Sequence, residues 1–332
     1  MKKVAINGFG RIGRLVFRLI CDDLDVVAIN DLGSAEDLAY LLKYDSNHRT
    51  FKKEISFEDD YLIVNNKKIK VISEKDPSNL PWKEMGVDLV LECTGLFTSL
   101  EKANKHIEAG AKKVLVSAPC KGDVKTIVYG VNHNILDGSE TVISAASCTT
   151  NCLAPVLNVL NNNIGVVKGF MTTVHAFTGD QVLLDVAHKK GIYSRRGRAA
   201  SMNIVPSSTG AASAIGKVIP SLEGKMSGSA LRVPVSTGSI VDLTLELSRN
   251  TTKEEINHLF DINKSDSITI TYDPIVSSDV ISNEFGSIVD GLLTEILEVD
   301  GKQLVKVVSW YDNEYSYSAQ MARTIRHILN NL

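Results

Sequence analysis

The chain has 332 residues, 44% hydrophobic and 23% charged, with a formal net charge of −3 and an isoelectric point near 6.2. That length allows a sizeable core and suggests two domains, while the acidic balance excludes a global attraction to nucleic acid or anionic membrane. Five cysteines (Cys21, Cys93, Cys120, Cys148 and Cys152) are too few and too scattered for a secreted disulfide framework, and no apolar run approaches the roughly 18 residues that span a bilayer.

Met1-Lys2-Lys3 ahead of Val4-Ala5-Ile6 has the outline of a signal peptide, but the apolar run stops at Asn7-Gly8 and Arg11 follows. The expectation is a reduced, soluble, cytoplasmic protein. Val4-Ala5-Ile6 predicts a first strand. Ile12, Leu15, Val16, Leu19 and Ile20 then form one apolar helical stripe. Val26-Val27-Ala28-Ile29 predicts a second buried strand ending at Asn30-Asp31. Further strands are expected over 87–93, 114–117, 127–129 and 142–144, with a helix stopping at Gly110. This alternation specifies a doubly wound parallel sheet.

The segment 147–152 reads as a strand-to-helix junction, followed by a helix over 153–160 that tolerates Pro155 only near its start. A strand over 170–174 leads into His175. Residues 241–247 alternate apolar and polar, the pattern of a sheet with one covered face. Thr252-Lys253-Glu254-Glu255 predicts a capping box. Strands over 267–271 and 304–310 follow, and a closing helix after Asn313 sets Met321, Ile325, Ile328, Leu329 and Leu332 on one side. The reading is an α/β chain in three parts. A dinucleotide-binding domain covers 1–147, and an α+β catalytic domain with a mixed, largely antiparallel sheet covers 148–313. A C-terminal helix over 314–332 packs back on the first domain.

Gly8-Phe9-Gly10-Arg11-Ile12-Gly13 lies between the first strand and first helix. Gly8 permits the tight turn, Gly10 lets a pyrophosphate approach, and Gly13 allows close helix–strand packing. The helix N-terminus offers N–H groups and partial positive charge. Asp31, at the end of the second strand, suits the adenine-ribose diol and repels a 2′-phosphate, which favours NAD over NADP. A second chemical centre lies at Ser147-Cys148-Thr149-Thr150-Asn151-Cys152. A thiol at a helix N-terminus has its thiolate stabilised, and His175 is the candidate partner base. No Cys/His pairing with zinc spacing accompanies Cys148 and Cys152, so no metal is expected.

Asn7–Arg14 and Ser147–Cys152 resemble the two signature segments of glyceraldehyde-3-phosphate dehydrogenases. Glu92-Cys93-Thr94-Gly95, Ser117-Ala118-Pro119, Thr173-Val174-His175, Ser208-Thr209-Gly210-Ala211-Ala212, Leu231-Arg232-Val233-Pro234 and Trp310–Tyr315 follow in family order. The resemblance implies a Rossmann domain, NAD as cofactor, and reversible oxidation and phosphorylation of glyceraldehyde 3-phosphate through a Cys148 thiohemiacetal and thioester, with His175 as base. It implies cofactor contacts at Gly8, Gly10, Arg11, Ile12, Asp31, Lys75, Thr94, Gly95, Ser117, Asn313 and Tyr317. It implies that Thr178 and Arg232 hold the substrate phosphate, and that Ser147, Thr149, Arg196, Thr209 and Gly210 surround the attacking inorganic phosphate. It also implies a glycolytic, cytoplasmic homotetramer with the 178–201 loop at subunit interfaces, and neither membrane nor nucleic acid as main partner. One departure is Ala187, where NAD-preferring members carry proline; the Asp31 charge outweighs it. The alternatives are an erythrose-4-phosphate dehydrogenase of the same family, or a non-catalytic polyanion-binding role.

Overall fold

The computed structural model describes residues 2–331. The expectation for Leu332 on the closing helix lies outside the described residues. Two compact units separate, one of Met1–Tyr129, His133–Ser147 and Met321–Leu332, the other of Gly130–Asn132 and Cys148–Gln320.

The first unit is built on β1 (Lys3–Asn7), β2 (Asp25–Asn30), β3 (Ile55–Glu58), β4 (Tyr61–Val64), β5 (Lys67–Ile72), β6 (Leu89–Glu92), β7 (Lys113–Val116), β8 (Lys125–Thr126) and β9 (Val142–Ser144). Their order in one nine-stranded sheet is β3-β4-β5-β2-β1-β6-β7-β9-β8. All neighbours pair in parallel except β3–β4 and β4–β5, so a hairpin meander edges an otherwise doubly wound Rossmann sheet. The helices are α1 (Arg11–Ile20), α2 (Ala35–Lys43), the short α3 (Trp82–Met85) and α4 (Leu100–Glu108). The apolar stripe of α1 buries Leu15, Val16, Phe17 and Ile20, which is the amphipathic reason that segment is a helix. After α4, Gly110 takes φ +103°, a conformation that ends a helix at little cost only for glycine. The strand expected over 127–129 is instead Lys125–Thr126, pairing with Ile143 and Ser144. Ile127 and Val128 are buried just past the strand's end, with the Ile127 N–H still donating to the Ser144 carbonyl at 2.8 Å.

The second unit carries α5 (Cys148–Asn163), β10 (Val166–Ala176), β11 (Val205–Ser208), α6 (Ala211–Val218), β12 (Met226–Val233), β13 (Ser239–Leu247), α7 (Lys253–Ile262), β14 (Ile268–Thr271), β15 (Ser287–Asp290), β16 (Glu295–Val299) and β17 (Lys302–Tyr311). Its sheet runs β11-β12-β10-β13-β17-β15-β14, with β16 on β17. Only β10–β12 and β14–β15 pair in parallel. Along β13, Val241, Leu243 and Leu245 are fully buried, matching the alternation. The closing helix α8 (Tyr315–Asn330) buries Met321, Ile325, Ile328 and Leu329.

Two local expectations are corrected. The 153–160 helix starts at Cys148, and Pro155 is its eighth residue, not near its start. Pro155 has no N–H for the Asn151 carbonyl; Gly286 closes on that oxygen, where an added Cβ would lie 3.0 Å away. At α7, Thr252 accepts the Glu255 N–H at 3.1 Å, but the Glu255 carboxylate turns to Arg249 and Thr251. Half of the predicted capping box forms, because a cation outcompetes a backbone N–H for the carboxylate.

Candidate active site

In the first unit, the β1–α1 turn opens a cavity of about 510 Å³. Gly8 takes φ +90°, and a Cβ there would lie 2.8 Å from Thr94. A Cβ on Gly13 would lie 2.2 Å from the Gly8 oxygen, whereas one on Gly10 would meet nothing within 4 Å. Gly8 and Gly13 therefore close the turn, while Gly10 leaves an open cradle at the α1 N-terminus, where no side chain caps the helix. Asp31 stands at the cavity wall, its oxygens accepting the Phe9 N–H at 2.7 Å and the Gly33 N–H at 3.0 Å. These bonds aim the carboxylate and leave further lone pairs for a diol. An open glycine cradle at a helix N-terminus beside a fixed carboxylate fits a dinucleotide.

Gly8, Gly10, Asp31, Lys75 and Thr94 line this cavity, together with Asn7, Asn30, Leu32, Glu74, Cys93, Leu96 and Phe97. The sequence reading missed the apolar walls Leu32, Leu96 and Phe97. Arg11, Ile12, Gly95 and Ser117 stand outside the lining. The Arg11 side chain is committed to Asp45 at 2.6 and 3.2 Å, Gly95 turns at φ +72°, and the Ser117 N–H donates to the Glu92 carbonyl at 2.9 Å.

The second centre grows from sheet register. β10 and β12 run in parallel with His175 opposite Arg232, and β11 sets Val205 opposite Arg232 on the far side. The strand β9 ends at Ser144, and Ala146 takes φ +58° just ahead of Ser147 and Cys148, the kind of strained backbone found at functional sites. Cys148 is the first residue of α5, and its Sγ lies 3.4 Å from His175 Nε2 and 4.0 Å from Thr149 Oγ1. Behind them, the buried Tyr311 hydroxyl bonds Thr149 at 2.9 Å and Thr173 at 3.0 Å. Its ring stands edge-on to His175 at 5.9 Å.

His175 Nδ1 lies 2.7 Å from both the Ala176 carbonyl and Arg232 Nη1. Nδ1 therefore faces a donor in Arg232 and an acceptor in the carbonyl; a proton on Nδ1 pairs with the carbonyl and leaves Nε2 a lone pair facing sulfur. Burial, and after it the Arg232 charge, lowers the His175 pKa to about 3, so the imidazole is neutral. Burial pushes the Cys148 thiol up, against the pull of Arg232 and Thr149, so desolvation works against the thiolate that the helix N-terminus favours.

Arg232 Nη1 also donates to the Ala176 carbonyl at 3.0 Å and to Thr178 Oγ1 at 3.3 Å. Thr178 in turn donates to Asp180, which pairs with Arg196. Burial opposes the Asp180 charge, yet Thr178 and Arg196 hold its carboxyl below the usual range. Asp180 is a member the sequence reading missed. Cys148, Thr149, His175, Thr178, Arg196 and Arg232 thus form one connected cluster. Thr209 and Gly210 sit at the start of α6, where the Thr209 hydroxyl accepts the Ala211 N–H at 3.2 Å. Asn313, whose oxygen accepts from Ser239 at 2.9 Å, and the buried Tyr317 lie at the start of α8. Lys189 and Lys190 are solvent-exposed. Among the described residues no group of three His, Cys, Asp or Glu side chains could hold a metal ion, and no helix is long and apolar enough to cross a membrane.

Residues 2–100 match the family described as glyceraldehyde 3-phosphate dehydrogenase, NAD binding domain, and residues 147–313 match the corresponding C-terminal domain. Curated relatives named glyceraldehyde-3-phosphate dehydrogenase include those of Clostridium pasteurianum (56% identical), Clostridium acetobutylicum (55%) and Streptococcus pyogenes (53%). Each alignment covers 98% of this chain, and 98%, 98% and 97% of the relative respectively.

Proposed function

We infer the reaction from the premise that this chain belongs to the glyceraldehyde-3-phosphate dehydrogenase family: it oxidises and phosphorylates glyceraldehyde 3-phosphate with NAD, as a glycolytic enzyme. The observation that carries the mechanism is the 3.4 Å approach of Cys148 Sγ to His175 Nε2. As sulfur attacks the aldehyde carbon, the thiol proton passes through His175 to the carbonyl oxygen, giving a thiohemiacetal on Cys148 and returning His175 to its neutral form. NAD, when bound through the glycine cradle and Asp31, supplies the hydride acceptor. His175 takes the hemiacetal hydroxyl proton as the carbonyl re-forms, leaving a thioester. Inorganic phosphate then attacks the thioester carbon and expels the Cys148 thiolate, yielding the acyl phosphate.

In this reading Thr178 and Arg232 hold the substrate phosphate, and Arg196 with Thr149, Ser147, Thr209 and Gly210 holds the attacking one. The Arg196–Asp180 pair supports the second role, since an incoming phosphate can replace Asp180 as the guanidinium's anion. Asn313 and Tyr317 take the nicotinamide end; Arg11, Ile12, Lys75, Thr94, Gly95 and Ser117 take the rest of the cofactor. A homotetramer is supported by Leu183, Leu184, Ile192, Tyr193, Met202 and Ile204, all solvent-exposed in the isolated chain and crowded into one loop region. A cytoplasmic setting accords with five free thiols.

The test is NADH formation from glyceraldehyde 3-phosphate with and without phosphate, with erythrose 4-phosphate and NADP in parallel. Phosphate-dependent turnover favouring the three-carbon aldehyde and NAD is expected. Faster phosphate-independent turnover of the four-carbon aldehyde would reverse the assignment.

A further inference from the structure

The side-chain amide of Asn313 is held by a hydroxyl relay. β13 begins at Ser239, and its ladder with β10 ends at the Val174–Ile240 pair. Just before it, Gly238 takes φ +89°, and a Cβ there would lie 2.2 Å from the Ser277 oxygen. The backbone therefore leaves the ladder in a turn only glycine fits. The Ala176 N–H donates instead to the Ser239 hydroxyl at 3.0 Å.

A serine hydroxyl has a single proton to give. Having accepted from Ala176, Ser239 directs that proton to Asn313 Oδ1 at 2.9 Å. The neighbouring Thr237 hydroxyl donates to Asp312 Oδ1 at 2.7 Å and stands 3.4 Å from the same Asn313 oxygen. Asp312 itself is pinned, accepting the N–H groups of Glu314, Tyr315 and Ser282 at 2.8 to 3.0 Å. Asn313 thus follows a fixed residue and has its oxygen spent inside, which turns Nδ2 the other way. Ser239 and Asn313 are buried and Ala176 fully so, so water does not replace a lost bond at no cost.

We propose that Ser239 is a positioning residue that orients the Asn313 amide to present N–H donors only, so that the pocket selects a cofactor ring bearing an acceptor oxygen, as a carboxamide does. The proposal rests on the reading of Asn313 as a nicotinamide contact.

The experiment uses the full-length enzyme as Ser239→Ala, Ser239→Thr, Asn313→Ala and the Ser239/Asn313 double alanine variant. KM and kcat are measured with NAD and with the thionicotinamide analogue, whose sulfur is a weaker acceptor. Ser239→Ala should raise KM for NAD about three- to tenfold, with kcat and the aldehyde KM changed less than about twofold. Ser239→Thr, which keeps the hydroxyl on a strand that suits a β-branched residue, should restore it. The double variant should be no worse than Asn313→Ala, and the Ser239→Ala penalty should shrink with the thio analogue. If Ser239→Ala does not fold, Ser239→Cys, nearly isosteric and a weaker donor, carries the same expectation. An unchanged KM in Ser239→Ala beside a raised one in Asn313→Ala, or penalties that multiply in the double variant, overturns the positioning role. An unchanged KM in Asn313→Ala overturns the reading of Asn313 itself.

Discussion

Replacing Glu92 by glutamine changes one atom and should nevertheless destabilise the first unit by about 2–4 kcal/mol. Glu92 and His106 are both 0% exposed. Four donors converge on the carboxylate. Oε2 accepts from Asn7 Nδ2 at 2.5 Å and lies 3.1 Å from His106 Nε2, and Oε1 takes the Thr94 N–H at 2.8 Å and the Thr94 hydroxyl. The tautomer of His106 is dictated from behind. Trp82 Nε1 donates to His106 Nδ1 at 3.1 Å, and an indole N–H can only donate, so Nε2 carries the ring proton. A glutamine that keeps its oxygen on the Thr94 N–H must turn its NH2 toward two donors. Flipping Asn7 to supply an acceptor would take Oδ1 from Asn30, which donates to it at 2.7 Å. Every rearrangement leaves a buried polar group unpaired. Urea unfolding followed by tryptophan emission should show the midpoint falling by about 1–2 M, given a slope of 1–3 kcal/mol/M. NAD should bind at least about tenfold more weakly, because Asn7, Asn30 and Thr94 line the cofactor cavity. A midpoint within about 0.2 M of the parent with unchanged NAD affinity would refute the locked-tautomer reasoning.

Cys148→Ser should abolish phosphate-dependent NADH formation while leaving NAD binding intact, measured by single-turnover absorbance and fluorescence titration. NADH production near the parental rate would end the covalent mechanism. Burial raises the Cys148 thiol, so its alkylation by iodoacetamide in the ligand-free enzyme should accelerate with pH beyond neutrality and not level off near pH 6. Because His175 is neutral down to about pH 3, its folded value is depressed below the unfolded one. Its contribution to stability is present above the ordinary histidine range and is lost as pH falls from there toward about 3. His175→Asn should flatten that part of an acid-unfolding profile. Gly13→Ala, whose methyl would lie 2.2 Å from the Gly8 oxygen, should cost at least about 2 kcal/mol and abolish NAD binding, whereas Gly10→Ala should leave stability within about 1 kcal/mol and weaken NAD alone.

Local periodicity made much of the scaffold legible. The stripe of α1, the alternation of β13 and the glycine stop after α4 are each properties of a short window, and a 3.6- or 2-residue repeat is enough to define which face is buried. A strand end and a mid-helix proline escaped that reading: Ile127 and Val128 are buried beyond the end of β8, and α5 runs through Pro155. The glycine turn, Asp31 and the Cys148 segment were visible because their chemistry is carried by neighbours in the chain. The walls Leu32, Leu96 and Phe97 were not, since an apolar residue bears no mark of the cavity it lines.

Residue order alone established the two kinds of sheet, the dinucleotide turn and a cysteine at the head of a helix. Only the tertiary structure decided that His175 faces that sulfur, that Arg232 and the Ala176 carbonyl meet at its Nδ1, and that Asp180 and Tyr311 belong to the same cluster. Strand register across a sheet joins residues dozens of positions apart, and a proton's location depends on which donors and acceptors surround it. Both are long-range quantities that no local window of sequence contains.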